Sequence, residues 1–178
     1  MPYAVTLCLD DSAARGIAEV WQRLADAGIS DSMVTLGYRP HLTLAIADRA
    51  DPAATVAVLK EFAERTPSLP VPFVGLGAFL APARVLWAAP RVDRALLDLH
   101  EALHATLAWP PHPHYTPGRW VPHCTLADDM TPEAFERGAR LVADWWQPAT
   151  ATLGRIDLVR FRPVEILWQQ PLRSRADR

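Results

Sequence analysis

Lysine, cysteine and long apolar runs are scarce in this chain. Of its 18 basic residues only Lys60 is a lysine, and it has 2 cysteines. Cys8 and Cys124 are too few for a disulfide framework. No apolar stretch reaches the roughly 20 residues that a membrane-crossing helix needs. The opening segment MPYAVTLCLDD has neither a basic start nor a small-residue cleavage site. It reads as a strand rather than a secretory signal, and a cytoplasmic location is the expectation. The net charge of −2 provides no general positive field. That argues against a protein that grips a long duplex and leaves a nucleotide or a strand end as the fitting nucleic-acid partner. The excess of Arg over Lys, with abundant Ala, reads as the coding bias of a GC-rich genome.

What is present is ordinary for a globular protein. Half of the 178 residues are hydrophobic and 21% are charged, values typical of a water-exposed fold. The length suits one domain over 1–178, or two small lobes sharing a core. A monomer is the expectation.

Hydrophobic periodicity places the elements. Residues 3–9 predict a strand. Residues 12–27 predict an amphipathic helix with Ile17, Val20, Trp21 and Leu24 on one face, Ser12 as its cap and Gly28 at its end. A strand over 41–47 precedes a helix that starts at Asp51-Pro52 and runs to about Arg65. Two strands follow, over 71–80 and 84–90, joined by a short Ala-Pro turn. Residues 92–109 predict a third helix, 110–118 a Pro-rich loop, and Thr131-Pro132-Glu133 the start of a fourth helix ending near Trp146. Residues 151–161 and 164–172 close the chain as a hairpin. This order, a weak internal repeat with antiparallel hairpins and helices outside them, predicts an α+β fold.

One motif occurs twice: Pro40-His41-Leu42-Thr43-Leu44 and Pro122-His123-Cys124-Thr125-Leu126. In a strand, residues two apart face the same side. His41 and Thr43 therefore share a face, as do His123 and Thr125, while Leu42, Leu44, Cys124 and Leu126 turn toward a core. If the two strands lie side by side, two imidazoles and two hydroxyls converge. Phosphoryl transfer places attacking and leaving oxygens roughly in line. Two histidines on opposite sides of phosphorus match that geometry, because imidazole gives and takes protons near neutrality. The hydroxyls can donate to the non-bridging oxygens. No metal or other cofactor is required.

On these motifs the chain resembles the two-histidine (2H) phosphoesterase superfamily, and within it the bacterial RNA 2′,3′-cyclic phosphodiesterases, also called 2′-5′ RNA ligase-like proteins. The segment GAFLAPARVLWAAP and the ending IDLVRFRPVEILWQQPL are similar to that family's Phe-containing turn and closing hairpin. The resemblance implies two pseudo-symmetric lobes of antiparallel strands with outer helices, and a central groove carrying one motif strand from each lobe. It implies hydrolysis of 2′,3′-cyclic or related phosphates, 2′-5′ linkages or ADP-ribose cyclic phosphate, catalysed by His41, Thr43, His123 and Thr125. His123 is assigned as base and His41 as acid.

Arg39, Phe79 and Trp120 lie near the motifs in sequence. A guanidinium can pair with a phosphate and an aromatic ring can stack on a base, so these three are candidate substrate-binding residues. A rival site is His100-Glu101-Ala102-Leu103-His104, a formal H-E-x-x-H on a predicted helix, whose histidines could hold zinc with Glu101 as base. Its third ligand would have to be His112, His114, Glu133 or Glu136, without clear spacing. The alternative is a helix packed on a sheet, with His100 on the Leu96, Leu103 and Leu107 face. A third alternative is a nucleotide-binding module without turnover.

Overall fold

The computed structural model describes residues 1–174. The end of the expected 1–178 domain, residues 175–178, lies outside the described residues. The chain order is β1 (Tyr3–Leu9), α1 (Asp11–Asp26), α2 (Ser32–Leu36), β2 (His41–Ala47), α3 (Pro52–Arg65), β3 (Leu69–Phe79), β4 (Arg84–Pro90), α4 (Arg94–Thr106), β5 (Cys124–Met130), α5 (Pro132–Trp145), β6 (Ala149–Arg160) and β7 (Glu165–Pro171). No helix among the described residues is long and apolar enough to cross a membrane.

Local chemistry sets the helix ends. Asp10, not Ser12, caps α1: its Oδ1 accepts from the backbone N–H groups of Ser12 and Ala13. The longer reach of Asp also lets its Oδ2 accept from Thr152 N–H at 2.5 Å, pinning the helix start to β6. Gly28, at φ 59°, ends α1. Gly28 N–H donates to Ala25 O and Ile29 N–H to Leu24 O, which satisfies the last carbonyls. Pro52 and Pro132 open α3 and α5, where a missing N–H costs nothing. Helix α4 is shorter than its periodicity implies. Asp93 caps it at Leu96 N–H, and the chain is extended by Leu107, ahead of Trp109-Pro110. Helix α2 has no periodicity signal because it spans only 5 residues.

All the strands form one antiparallel sheet of order β2-β1-β6-β3-β4-β5, with β7 also on β6. Strand β6 belongs to both lobes. Its first residues pair with β3, and the rest lies between β1 and β7. Each hairpin therefore crosses to the other repeat: β3 and β4 support the second motif strand, while β6 and β7 support the first through β1. The sheet curls until its two ends, β2 and β5, meet. Trp120 Nε1, just before β5, donates to Thr43 O on β2 at 2.9 Å.

One face of the sheet packs under the helices. Val5, Leu7, Leu42, Leu44, Ile156 and Leu158 are fully buried there, and truncating Ile156 or any of these leucines to Ala would cost about 2–5 kcal/mol. The other face forms the groove.

Both motif strands contain a bulge at the same place. In β2, Thr43 pairs with Thr6 but Ala45 with Val5, so Leu44 is the extra residue. In β5, Thr125 pairs with Trp87 but Ala127 with Leu86, so Leu126 is the extra residue. A bulge shifts the alternation by one. Leu44 and Ala45 are both buried, as are Leu126 and Ala127. The next side chains to reach the groove are Ile46 and Asp128, three residues after each threonine.

Candidate active site

The groove holds two adjoining cavities. The smaller, of about 160 Å³, is lined by His41, Thr43 and Thr125, with Tyr38, Tyr115 and Arg162 around them. The larger, of about 350 Å³, is lined by His123 and Thr125 with Phe79, Pro82, Val85 and Val121. Thr125, Tyr115 and Asp128 border both. The four motif residues thus meet across a shared wall, as their alternation predicts.

Both imidazoles are tethered alike. His41 Nδ1 lies 2.7 Å from Arg39 O, and His123 Nδ1 lies 2.7 Å from Val121 O. A carbonyl only accepts, so Nδ1 carries the proton in each ring. Nε2 of each ring is left to exchange protons. The intervening prolines, Pro40 and Pro122, fix φ and so help to set the turn that closes this contact. Burial lowers the proton affinity of both rings. In His41 the Arg39 carbonyl and Asp157 oppose that shift, and His123 adds to it.

The surroundings of the two histidines differ. Behind His41 lies a buried polar network. The Tyr38 ring sits 4.8 Å from the His41 ring. Tyr38 Oη donates to Asp157 Oδ2 at 2.8 Å and meets Thr6 Oγ1 at 2.7 Å. Arg155 holds the fully buried Asp157 carboxylate with two hydrogen bonds of 2.8 Å. Cys8 Sγ completes the network at 3.4 Å from Asp157 Oδ2. His123 has an aromatic wall instead. Phe79 meets it edge-on at 5.1 Å, and Trp87 lies at 6.0 Å. The indole of Trp87 lies over Gly77, where a Cβ would come within 2.3 Å of the ring.

Of the three candidate substrate-binding residues, only Phe79 borders the groove. Arg39 points elsewhere, its Nη2 bonded to Asp11 Oδ1 at 2.5 Å. Trp120 is buried and stacked on His100, with ring centroids 4.1 Å apart and planes 5° from parallel. Its indole N–H is spent on the Thr43 carbonyl. Trp21 Nε1 likewise donates to Thr125 O at 3.0 Å. These two indoles hold the motif strands from behind and line neither cavity of the groove.

The H-E-x-x-H histidines also serve the scaffold. His100 Nε2 and His104 Nε2 lie 3.0 and 3.1 Å from the Leu44 carbonyl, the one at the bulge. Each must donate there, so neither Nε2 offers a lone pair to zinc. Among the described residues no group of three or more His, Cys, Asp or Glu is arranged to hold a metal. Sequence alternation misses Asp128 because the bulge reverses its facing. Tyr38, Asp157 and Gly77 carried no motif signal.

A family model described as the 2′-5′ RNA ligase superfamily matches residues 9–165. The chain belongs to this superfamily of 2H phosphoesterases. Solved structures of similar fold include Escherichia coli LigT complexed with NADP+, at 17% identity and TM-score 0.60, covering 96% of each chain. LigT complexed with 3′-AMP matches at 20% identity and TM-score 0.54, again covering 96% of each chain. Usb1 of Kluyveromyces marxianus matches at 12% identity and TM-score 0.52, covering 96% of this chain and 98% of that one. A comparison with curated proteins finds no match. Membership of the superfamily supports a phosphodiesterase-type enzyme.

Proposed function

We propose that this protein is a phosphodiesterase that opens 2′,3′-cyclic or related phosphates on nucleotides or RNA ends, or cuts 2′-5′ linkages, by two-histidine acid–base catalysis. The observation that carries this reading is the matched tether. Both rings are locked with Nδ1 protonated, and Nε2 is free in adjoining cavities that share Thr125.

Neutral His123 Nε2 takes a proton from water as the water oxygen bonds to phosphorus. Protonated His41 Nε2 gives its proton to the departing sugar oxygen as the P–O ester bond breaks. Thr43 and Thr125 donate to the non-bridging oxygens, where charge is held through the transition state. One proton is taken up and one released, so the four side chains meet the demands of the reaction without a metal. The buried Asp157 carboxylate favours the charged form of His41, but the neighbouring His123 opposes it more strongly, so the roles of acid and base rest on the family resemblance. Phe79, Pro82, Val85 and Val121 give the larger cavity an apolar wall suited to a nucleobase. LigT, whose solved complexes carry NADP+ and 3′-AMP, makes a nucleotide the natural first ligand to try. We further place the protein in the cytoplasm as a monomer.

The test is hydrolysis of 2′,3′-cyclic AMP in EDTA by the wild type, His41→Ala and His123→Ala, with the product identified. Turnover to one monophosphate isomer is expected in the wild type. Each variant should lose about 10²–10⁴-fold while keeping its melting temperature. Wild-type rates in either variant, or activity that requires added zinc, would overturn the reading.

A further inference from the structure

Asp128 borders both cavities, yet a carboxylate beside a phosphate site repels the ligand. It is held by Arg162, whose Nη2 lies 2.7 Å from Asp128 Oδ2. The two come from opposite lobes: Asp128 from β5, and Arg162 from the turn between β6 and β7. Their ion pair crosses the groove.

Arg119 lines the larger cavity beside His123; Arg162 differs from the remaining arginines near the site. Arg155 is committed to buried Asp157 through two donors. Arg39 is bonded to Asp11 and Arg160 to Glu165. Arg162 is the one arginine lining the small cavity. Its side chain is 65% exposed, and its single hydrogen bond to Asp128 leaves most of its five N–H donors unspent. An exposed single-point pair is readily exchanged. Asp128 stands three residues past Thr125 on the same strand, so Arg162 meets the groove a short way along it from the threonine that faces the reacting phosphate.

We propose that Arg162 is a specificity-determining residue that leaves Asp128 to bind a second phosphate on the substrate, so that the groove prefers nucleotides bearing two phosphate groups to those bearing one. Asp128 keeps the guanidinium in place when the groove is empty, and the second phosphate competes with it for the same donors. The inference rests on the phosphodiesterase reading for its substrate class, but its test needs no turnover.

Calorimetry on the full chain compares adenosine 3′-monophosphate with adenosine 3′,5′-bisphosphate, and their 2′ isomers, in the wild type, Arg162→Ala, Arg162→Lys and Asp128→Asn. The bisphosphate should bind the wild type about tenfold more tightly than the monophosphate. That ratio should fall to about one in Arg162→Ala, be partly kept in Arg162→Lys, and rise in Asp128→Asn, where the competing carboxylate is gone. A purely structural ion pair would instead weaken both ligands equally in Arg162→Ala and Asp128→Asn. That pattern, an unchanged ratio in Arg162→Ala, or a wild-type ratio near one overturns the proposal. Failure of every nucleotide to bind the wild type overturns the nucleotide reading itself, and this inference with it. Binding with the expected ratios but no hydrolysis of cyclic phosphates would uphold Arg162 and sink the catalytic reading alone.

Discussion

His41 and His123 are held by the same contact. Each Nδ1 sits 2.7 Å from the carbonyl oxygen two residues earlier, with a proline between. The active nitrogens are therefore Nε2 in both, and the two rings differ only in what stands behind them. Burial pushes the pKa of each below the ordinary imidazole value of 6.5.

That shift fixes where activity should peak. The base histidine must be neutral and the acid histidine charged, so kcat/KM should be bell-shaped in pH. With both groups lowered, the rising limb and the falling limb both lie below 6.5, and so does the optimum. A kcat/KM profile in EDTA from pH 4 to 9 checks this. An optimum above pH 7 would contradict it.

The two hydroxyls should matter in the transition state more than in binding. Thr43→Val and Thr125→Val keep side-chain shape and remove one donor each. Each should lower kcat about 10²-fold or more and change KM little. Steady-state kinetics separates the two effects. A change confined to KM would make the threonines ground-state ligands instead.

Gly77 should be intolerant of a side chain while Gly75 is not. A Cβ at Gly77 would lie 2.3 Å from the Trp87 ring, whereas at Gly75 it meets nothing within 4 Å. Gly77→Ala must move the indole away from Phe79 and His123, at a cost of about 1–3 kcal/mol by overpacking. Gly75→Ala should be close to neutral. Thermal melts, tryptophan emission and turnover of the two variants test the contrast.

His100 should make the fold acid-sensitive. It is buried, and its pKa is lowered to about 4 by desolvation, with a further push from His104. The unfolded chain takes up this proton first, near pH 6.5. The favourable contribution of neutral His100 is therefore complete above 6.5 and is lost as pH falls from there toward 4. The full loss is roughly 3 kcal/mol. Urea melts across that range should show the decline, and His100→Gln should flatten it.

The catalytic candidates were legible because a short repeat in sequence became a repeat in space. The His-x-Thr copies needed only strand alternation to share a face, and Leu42 and Cys124 fell into the core as alternation requires. The burial of His100 was legible from the apolar face of α4. Other features depended on long-range pairing. Asp157 is 119 residues from Tyr38 in sequence, and Arg39 turned to Asp11 because the start of α1 lies beside it. The cap moved from Ser12 to Asp10 because the carboxylate also had Thr152 to hold, a partner invisible from local sequence. Nearness to the second motif makes Trp120 a candidate ligand platform, but it lies under the strand, where its N–H meets the edge carbonyl of Thr43.

The paired bulges have a consequence for how such a groove can diverge. After each threonine, two consecutive residues go to the core and only the third returns to the groove, as Ile46 in one strand and Asp128 in the other. These two positions are mates under the pseudo-symmetry, yet one is an aliphatic group and the other a carboxylate. A single replacement at either place would rewrite which ligands are welcome, and the Leu-Ala pair beneath would not have to move. The frame that aligns the reacting groups is thus insulated from the surface that chooses the substrate, and one scaffold can change its diet without relearning how to fold.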